Sequence, residues 1–373
     1  MMHYTDFHGF KASLLGMGCM RLPLDEKGDV DVEKSIATIR KGIDEGITYV
    51  DTAYVYHNGF SERVLGMALK DGYREKVLIA DKMPLWVAES KEHMDRIFQK
   101  QLDRLGVDCI DIYLIHNVNS EEYSLIEEYD VINWMKQKKA EGKIKYLGFS
   151  FHDDLALFEK TLDLCDWDMC QIQYNYIDEN YQAGIKGLTI AGERGIPVVI
   201  MEPLKGGRLA GKMPPQIEPM WNNMSEERSI VDWAFRWVAD HPQVMTILSG
   251  MSSMDQMIDN IKIFNDIEPC TLKKSDRENL KQIADKFNSL FEYGCTACRY
   301  CMPCPQNIDI PATIGLYNHL SVYDNADTIF VEYSWMAPDT AEKCVTCRKC
   351  ESHCPQSLPI SDIMKKCVEK FGY

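Results

Sequence analysis

Four polar side chains with complementary chemistry stand at or near the ends of three successive apolar runs. Asp51 lies at the end of the second run in the chain, Lys82 ends the third and His116 ends the fourth, while Tyr56 follows Asp51 by five residues. A free tyrosine has a pKa of about 10, but a nearby lysine ammonium lowers that pKa, and an aspartate keeps the lysine charged. With a histidine to hydrogen-bond a carbonyl oxygen, these residues predict a proton-delivery group for carbonyl reduction.

The elements that must position these residues alternate along the chain. Up to about residue 267, short apolar runs are followed by longer stretches with helical spacing, such as Met94, Ile97, Phe98 and Leu102. Eight such units predict an α/β fold with parallel strands buried on both sides. The apolar runs lie at 14–20, 48–52, 77–82, 110–116, 144–150, 169–174, 198–202 and 245–250.

A closed (β/α)8 TIM barrel explains these units better than an open dinucleotide-binding sheet. The segment at 16–21, which overlaps the first run, lacks the third glycine of the G-x-G-x-x-G turn that an open sheet of that kind requires after its first strand. The strands of a barrel carry their catalytic residues at their C-terminal ends. That is where Asp51, Lys82 and His116 stand.

The sequence around these residues resembles the aldo/keto reductase family. The segments D-T-A-Y-V-Y at 51–56, A-D-K at 80–82 and Y-L-I-H at 113–116 are similar to that family's Asp, Tyr, Lys, His tetrad. The resemblance extends over about residues 10–266. It implies catalytic roles for Asp51, Tyr56, Lys82 and His116, and a nicotinamide dinucleotide lying extended across the barrel top, with NADP(H) expected in preference to NAD(H).

The same resemblance implies cofactor contacts at later strand ends. Phe151 and Met201 replace, respectively, an asparagine and an aromatic residue that many members use. Gln256 stands where many members place an arginine for the 2′-phosphate, so we expect the preference for NADP(H) to be modest. The implied cofactor-binding residues are Ser150, Phe151, Gln171, Met201, Pro203, Leu204, Lys205, Gly206, Gly250, Ser252, Gln256 and Asn260.

Eight of the fourteen cysteines form two closely spaced runs near the C-terminus. The second run reads C-x2-C-x2-C-x3-C-P, which is the bacterial ferredoxin pattern, and the first run differs only in a shorter last gap. In two-cluster ferredoxins the fourth cysteine binds the other cluster. We therefore predict two [4Fe–4S] clusters, with zinc as the alternative. The predicted ligand sets are Cys295, Cys298, Cys301 and Cys354 for one cluster, and Cys344, Cys347, Cys350 and Cys304 for the other.

Length and charge complete the expected organisation. The chain of 373 residues accommodates a barrel at 1–285 and a small α-helical, ferredoxin-like iron–sulfur domain at 286–373. The net charge of −16 argues against nucleic acid or an anionic membrane as a partner. The N-terminal segment lacks a secretory pattern and no run is long enough to span a bilayer, so we expect a cytoplasmic protein.

These observations favour a reductase that transfers hydride from NAD(P)H to a small aldehyde or ketone. One alternative is a ferredoxin-linked enzyme that moves electrons between the clusters and a substrate or nicotinamide. A second is a non-catalytic protein whose cysteine-rich domain docks ferredoxin or another redox partner. Retention of four polar groups at one site argues against the non-catalytic alternative.

Overall fold

The computed structural model describes residues 1–120, 122–295, 301–320, 322, 326–354 and 357–372. The chain forms two compact units. One comprises Met1–Lys205 with Val231–Lys273, and the other comprises Gly206–Ile230 with Lys274–Tyr373. The expected division of the sequence into domains at residue 285 stays a prediction.

The first unit contains an antiparallel hairpin and a closed barrel of eight parallel strands. The barrel strands follow one another in chain order, and the last strand pairs with the first. All eight strands predicted from the apolar runs are therefore confirmed. The hairpin consists of β1 (Tyr4–Phe7) and β2 (Phe10–Ser13), and the barrel of β3 (Leu15–Gly18), β4 (Tyr49–Asp51), β5 (Leu78–Met83), β6 (Ile110–Val118), β7 (Ile144–Phe151), β8 (Met169–Gln173), β9 (Val198–Met201) and β10 (Val244–Ser249).

The barrel interior is filled by apolar side chains, as expected for strands that are buried on both faces. Every residue of β5 and β8 is buried. Space inside is tight, because a Cβ added to Gly148 would lie 2.6 Å from the side chains of both Leu114 and Met169. Two hairpin residues, Phe7 and Ala12, belong to the same interior cluster. The cluster consists of Phe7, Ala12, Tyr49, Leu78, Ala80, Ile112, Leu114, Met169, Val199, Met245 and Leu248.

Helices with capped ends connect the strands. The side chain of Asp31 caps the first helix, Ser90 caps the third, and Ser253 caps the helix after the last strand. No helix in the described part of the chain is long and apolar enough to cross a membrane. These helices are α1 (Val32–Asp44), α2 (Phe60–Ala68), α3 (Lys91–Leu105), α4 (Tyr123–Glu128), α5 (Val131–Ala140), α6 (Leu155–Leu162), α7 (Gly184–Glu193), α8 (Ile230–Ala239) and α9 (Met254–Asp266).

The second unit is helical, as the sequence predicts for the C-terminal region. Asp276 accepts hydrogen bonds from the backbone and hydroxyl of Ser225, at 2.8 and 2.6 Å, and so joins 206–230 to the first helix of this unit. Phe371 stacks on Tyr333, with ring centroids 4.2 Å apart. The helices are α10 (Lys274–Ser289), α11 (Ile310–Leu320), α12 (Ala326–Trp335), α13 (Lys349–His353) and α14 (Ile360–Phe371).

Candidate functional site

Strand alternation explains how the four predicted catalytic residues come together. Tyr49, Ala80 and Leu114 belong to the interior cluster. Side chains two residues apart on a strand point to the same face. Asp51 and Lys82 therefore also point inward, at the C-terminal ends of β4 and β5. Tyr56 begins a short 3₁₀ helix, Tyr56–Gly59, after β4.

Lys82 is the centre of the hydrogen-bonded group. Its Nζ atom donates to Asp51 Oδ1 at 2.6 Å and to the Thr52 carbonyl oxygen at 2.6 Å. The same Nζ atom lies 3.4 Å from the hydroxyl of Tyr56. Lys82 and Asp51 are only 1% and 3% exposed. The structure thus brings three of the four predicted catalytic residues into direct contact.

His116 completes the group through its ring rather than through a hydrogen bond. Its ring centroid lies 5.8 Å from that of Tyr56, and the two rings meet edge to face. The Nδ1 atom of His116 is buried and has no hydrogen-bond partner among the described residues. The ring centroid of Trp86 lies 5.0 Å from that of His116, and Trp86 is 41% exposed. Sequence reasoning missed Trp86, although a tryptophan four residues after Lys82, in the loop that follows the strand, was a usable signal.

Burial and charge compete at the ionisable groups of this site. Burial lowers the pKa of Lys82, but the negative charge of Asp51 and the hydroxyl of Tyr56 outweigh it, so the pKa lies above the ordinary lysine value. Burial raises the pKa of Asp51, against the opposing effect of Lys82. The ammonium of Lys82 therefore remains charged through the physiological range.

The pKa of Tyr56 differs from the expectation. Burial raises this pKa above the ordinary tyrosine value, and the charge of Lys82 lowers it by less. The prediction of a net lowering was wrong, because it counted the lysine charge and not the loss of water. For His116, burial and the charge of Lys82, with a smaller effect of His152, hold the pKa well below its usual range. At neutral pH the imidazole is therefore neutral and the phenol retains its proton.

Three residues implied as nicotinamide contacts lie at neighbouring strand ends. Ser150 Oγ on β7 accepts the backbone N–H of Asn117 at 2.8 Å, next to His116. Gln171 on β8 has a buried Oε1 atom without a hydrogen-bond partner among the described residues, and its amide nitrogen contacts the Met201 sulfur at 3.7 Å. A hydroxyl donor beside an open amide acceptor fits the oxygen and the nitrogen of a carboxamide.

Phe151 and the residues after β9 have different surroundings. Phe151 is fully buried between Phe149 and Phe158, so the structure places its ring in the helix–strand packing. Lys205 is also buried, and its ammonium forms an ion pair with Asp178. The remaining implied residues of this loop are buried Pro203, half-buried Leu204, and half-buried Gly206 with a φ of 67°.

The implied adenosine residues cluster at the N-terminus of α9. The backbone N–H of Ser252 donates to Gln256 Oε1 at 2.8 Å, and the hydroxyl of Ser252 contacts the carbonyl of Gly250 at 3.5 Å. Asn260 donates to the hydroxyl of Ser249 at 2.9 Å. Gln256 is exposed and uncharged, so it offers hydrogen bonds but no positive charge at this position.

In the second unit, cysteines line a cavity of about 170 Å³. Within the described part of this unit, they do not converge on one point as a preassembled metal site. Thiolates are the ligands of iron–sulfur clusters, so the donor chemistry fits. Cys298 lies outside the described residues, and Cys295 and Cys354 are half-buried beyond the cavity lining. The cysteines of the lining are Cys301, Cys304, Cys344, Cys347 and Cys350.

A matching backbone hydrogen bond is made to the last cysteine of each run. The N–H of Asn307 donates to the Cys304 carbonyl at 2.9 Å, and the N–H of Ser357 donates to the Cys354 carbonyl at 3.0 Å. Asn307 and Ser357 both have positive φ angles, of 59° and 50°. The two runs thus share this hydrogen bond as well as a similar cysteine spacing. The side chain of Cys304 also accepts the backbone N–H of Gln306 at 3.5 Å.

The fold and the site define the class of protein: an α/β barrel with polar groups at its strand ends, followed by a cysteine-rich helical domain. The aldo/keto reductase family model matches residues 14–285, and the chain belongs to that family of oxidoreductases. Residues 294–358 match the 4Fe-4S dicluster domain, which accounts for the cysteine runs and supports iron–sulfur clusters.

Individual relatives match the barrel portion. The chain is 25% identical over 322 residues to aldo-keto reductase YhdN of Bacillus subtilis, covering 76% of this chain and 94% of that protein. It is 24% identical over 302 residues to the NADH-specific methylglyoxal reductase of Escherichia coli, covering 69% and 90%. Among solved structures, the holo form of aldo-keto reductase AKR11C1 from Bacillus halodurans superposes with a TM-score of 0.65 at 24% identity, covering 76% and 96%.

A Klebsiella pneumoniae aldo-keto reductase solved in complex with NADPH superposes with a TM-score of 0.62 at 23% identity, covering 76% of this chain and 95% of that one. At these identities the solved structures establish the fold. The relatives therefore agree on the barrel, whereas one is named as NADH-specific and another was solved with NADPH bound.

Proposed function

We propose that the barrel reduces the carbonyl group of a small aldehyde or ketone with NADP(H), using Tyr56 as the acid. The contact of Lys82 Nζ with both Asp51 and the Tyr56 hydroxyl carries this proposal. When bound, the nicotinamide supplies hydride to the carbonyl carbon. The protein must then deliver a proton to the carbonyl oxygen, and Tyr56 carries that proton at neutral pH.

The four side chains divide the work of that proton transfer. The Lys82 ammonium stabilises the phenolate that forms as Tyr56 gives up its proton, and Asp51 keeps Lys82 charged and in place. A neutral His116 can donate one N–H to the carbonyl oxygen and fix its orientation. Trp86 lies beside His116, where it would line the substrate pocket and exclude water.

The cofactor proposal rests on the hydrogen-bonding groups at the strand ends. Ser150 and Gln171 would hold the carboxamide, and Met201 would pack against the nicotinamide ring. The loop at 203–206 would contact the pyrophosphate, and Gly250, Ser252, Gln256 and Asn260 would surround the adenosine. We expect NADP(H) to bind in preference to NAD(H), by a modest margin.

The test is anaerobic oxidation of NADPH with a panel of aldehydes and ketones. Tyr56→Phe should lower the rate about 100- to 10,000-fold, the usual contribution of a positioned general acid. NADPH affinity should be unchanged. Tyr54→Phe is the matched control, because it removes the same hydroxyl two residues away, where the hydroxyl contacts Lys100 instead. Near-full activity of Tyr56→Phe on a carbonyl substrate that the wild type reduces would refute the role of Tyr56.

The 4Fe-4S domain favours a second candidate, in which the clusters exchange single electrons with ferredoxin or another redox partner. Under this proposal the two [4Fe–4S] clusters are held by the eight cysteines of the two runs, with Cys304 and Cys354 exchanged between them. Chemically reduced protein should then reduce substrate without NADPH. Strict dependence on NADPH in that experiment would leave the clusters a structural or docking role.

A further inference from the structure

A second group of charged side chains is buried directly behind the predicted catalytic lysine. Asp81, which follows Ala80 on β5, points to the outer face of the barrel wall, opposite to Lys82. Glu62 on α2 lies beside it and forms an ion pair with Arg104 on α3. Glu62 and Asp81 are both fully buried. A charged residue in the middle of an apolar strand was the sequence signal, and sequence reasoning did not use it.

Hydrogen bonds fix both carboxyl groups. Asp81 Oδ1 accepts the backbone N–H of Lys82 at 2.8 Å, and Gln101 Nε2 donates to the Lys82 carbonyl at 3.0 Å. Glu62 Oε2 accepts from Arg104 Nη1 at 2.5 Å. The other two oxygens, Glu62 Oε1 and Asp81 Oδ2, are buried and accept from no donor group within the described residues. The two carboxyl groups lie close enough for each to affect the pKa of the other.

The charges of the buried layer do not balance if every acid is ionised. Two cations, Lys82 and Arg104, face three carboxyl groups, those of Asp51, Glu62 and Asp81. No other cation within the described residues forms an ion pair with any of these three acids. An uncompensated buried charge is strongly unfavourable, and each of two neighbouring carboxylates opposes ionisation of the other.

We propose that Glu62 and Asp81 share one proton at neutral pH, so that Asp81 anchors the backbone of Lys82 without adding a second negative charge behind it. Asp81 is then a positioning residue that acts through Lys82. The number of protons on Glu62 and Asp81 does not depend on the proposed function. Only the effect of this shared proton on Lys82 and Tyr56 rests on the proposed function.

The titratable groups around Glu62 and Asp81 support one proton shared between these two residues. Burial raises the pKa of Asp81 well above its usual value, and the nearby Glu62 charge raises it further, against the effects of Lys82. Burial likewise raises the pKa of Glu62 against the effect of Arg104. On the β6 side lies Tyr113, whose hydroxyl donates to Gln101 and carries no charge. An ionised Asp81 would raise the pKa of Tyr56 and make it a weaker acid.

Infrared spectroscopy of the full-length protein, without NADPH or substrate, tests the proton count directly. Wild type at pH 7 should show the carbonyl band of one protonated carboxyl group, shifted in D2O. Asp81→Asn should abolish this band, because the remaining acid, Glu62, then ionises against Arg104. Glu62→Gln should abolish it as well, because Asp81 then ionises against Arg104. Asp111→Asn is the control, since Asp111 is equally buried but forms ion pairs with Arg74 and Lys145.

The pH dependence of stability provides the second measurement. Unfolding of wild type between pH 5 and 7 releases the shared proton, because an exposed aspartate has a pKa of about 3.9. The unfolding equilibrium constant of wild type, divided by that of Asp81→Asn, should therefore rise about tenfold per pH unit. A wild type without the protonated band, a band that survives in either Asp81→Asn or Glu62→Gln, or a flat ratio would each overturn the proposal.

Discussion

Replacing Lys82 with methionine should expose how strongly Asp51 depends on its partner. Lys82 is 1% exposed, and its Nζ atom makes a 2.6 Å ion pair with Asp51. Methionine has a similar length and is apolar, but it offers no donor. Lys82→Met therefore leaves the buried carboxylate of Asp51 without a counter-charge and without a hydrogen bond from the Nζ atom.

Two estimates of the resulting loss in unfolding free energy agree. Removing one partner of a buried ion pair typically costs about 3–5 kcal/mol. The loss has a ceiling, because Asp51 can take up a proton instead of remaining charged. Holding a carboxyl group protonated at pH 7, when its unfolded pKa is about 3.9, costs about 4.2 kcal/mol. At pH 5 the same ceiling is about 1.5 kcal/mol, so we expect the loss to shrink as the pH falls.

Urea denaturation followed by circular dichroism at pH 5, 6 and 7 measures this loss. The control is the double variant Asp51→Asn with Lys82→Met, which removes both charges and should recover most of the lost stability at pH 7. A loss below about 1 kcal/mol at pH 7 would refute the buried ion pair, because it falls outside the range for breaking such a pair. A loss that does not change with pH, or a double variant no more stable than Lys82→Met, would refute it as well.

Three further predictions concern the cofactor, the histidine and the clusters. Gln256→Arg should tighten NADPH binding about 10- to 100-fold in fluorescence titrations and leave NADH binding unchanged, because an arginine–phosphate contact contributes about 1.5–3 kcal/mol; an equal gain for NADH would contradict this. His116 should show no titration between pH 6 and 8 by NMR, since burial and Lys82 depress its pKa; a midpoint in that window would disprove its neutral role. Cys304→Ser combined with Cys344→Ser should lose no more iron than the worse single variant, if both cysteines bind one cluster as proposed; iron analysis showing additive losses would place them on different clusters.

The barrel was predictable because its physical cause is local in the sequence. Parallel strands buried on both sides require short, continuous apolar runs, and β-branched residues alternating with helical stretches produce that pattern without long-range information. The positions of Asp51, Lys82 and His116 followed from the same pattern, because the end of a run marks the end of a strand. The cysteine runs were recognisable for a similar reason, since their spacing carries the ligand chemistry.

The electrostatic outcome at the site depended on the fold. The sequence alone indicated that Lys82 would lower the pKa of Tyr56, but burial has the larger effect, and burial is a property of the whole barrel. Phe151 could not be placed from its motif either, because the packing of Phe149 and Phe158 decides where its ring lies.

The amino-acid sequence by itself determined the order of the elements, the identities of the reactive side chains and the face of each strand on which they lie. Only the tertiary structure decided which charges share a buried volume. Glu62, Asp81 and Arg104 come from two helices and a strand, and nothing in their spacing predicts that they meet behind Lys82. The desolvation of these buried groups depends on atoms from all parts of the chain. Their protonation states are therefore a property of the folded barrel.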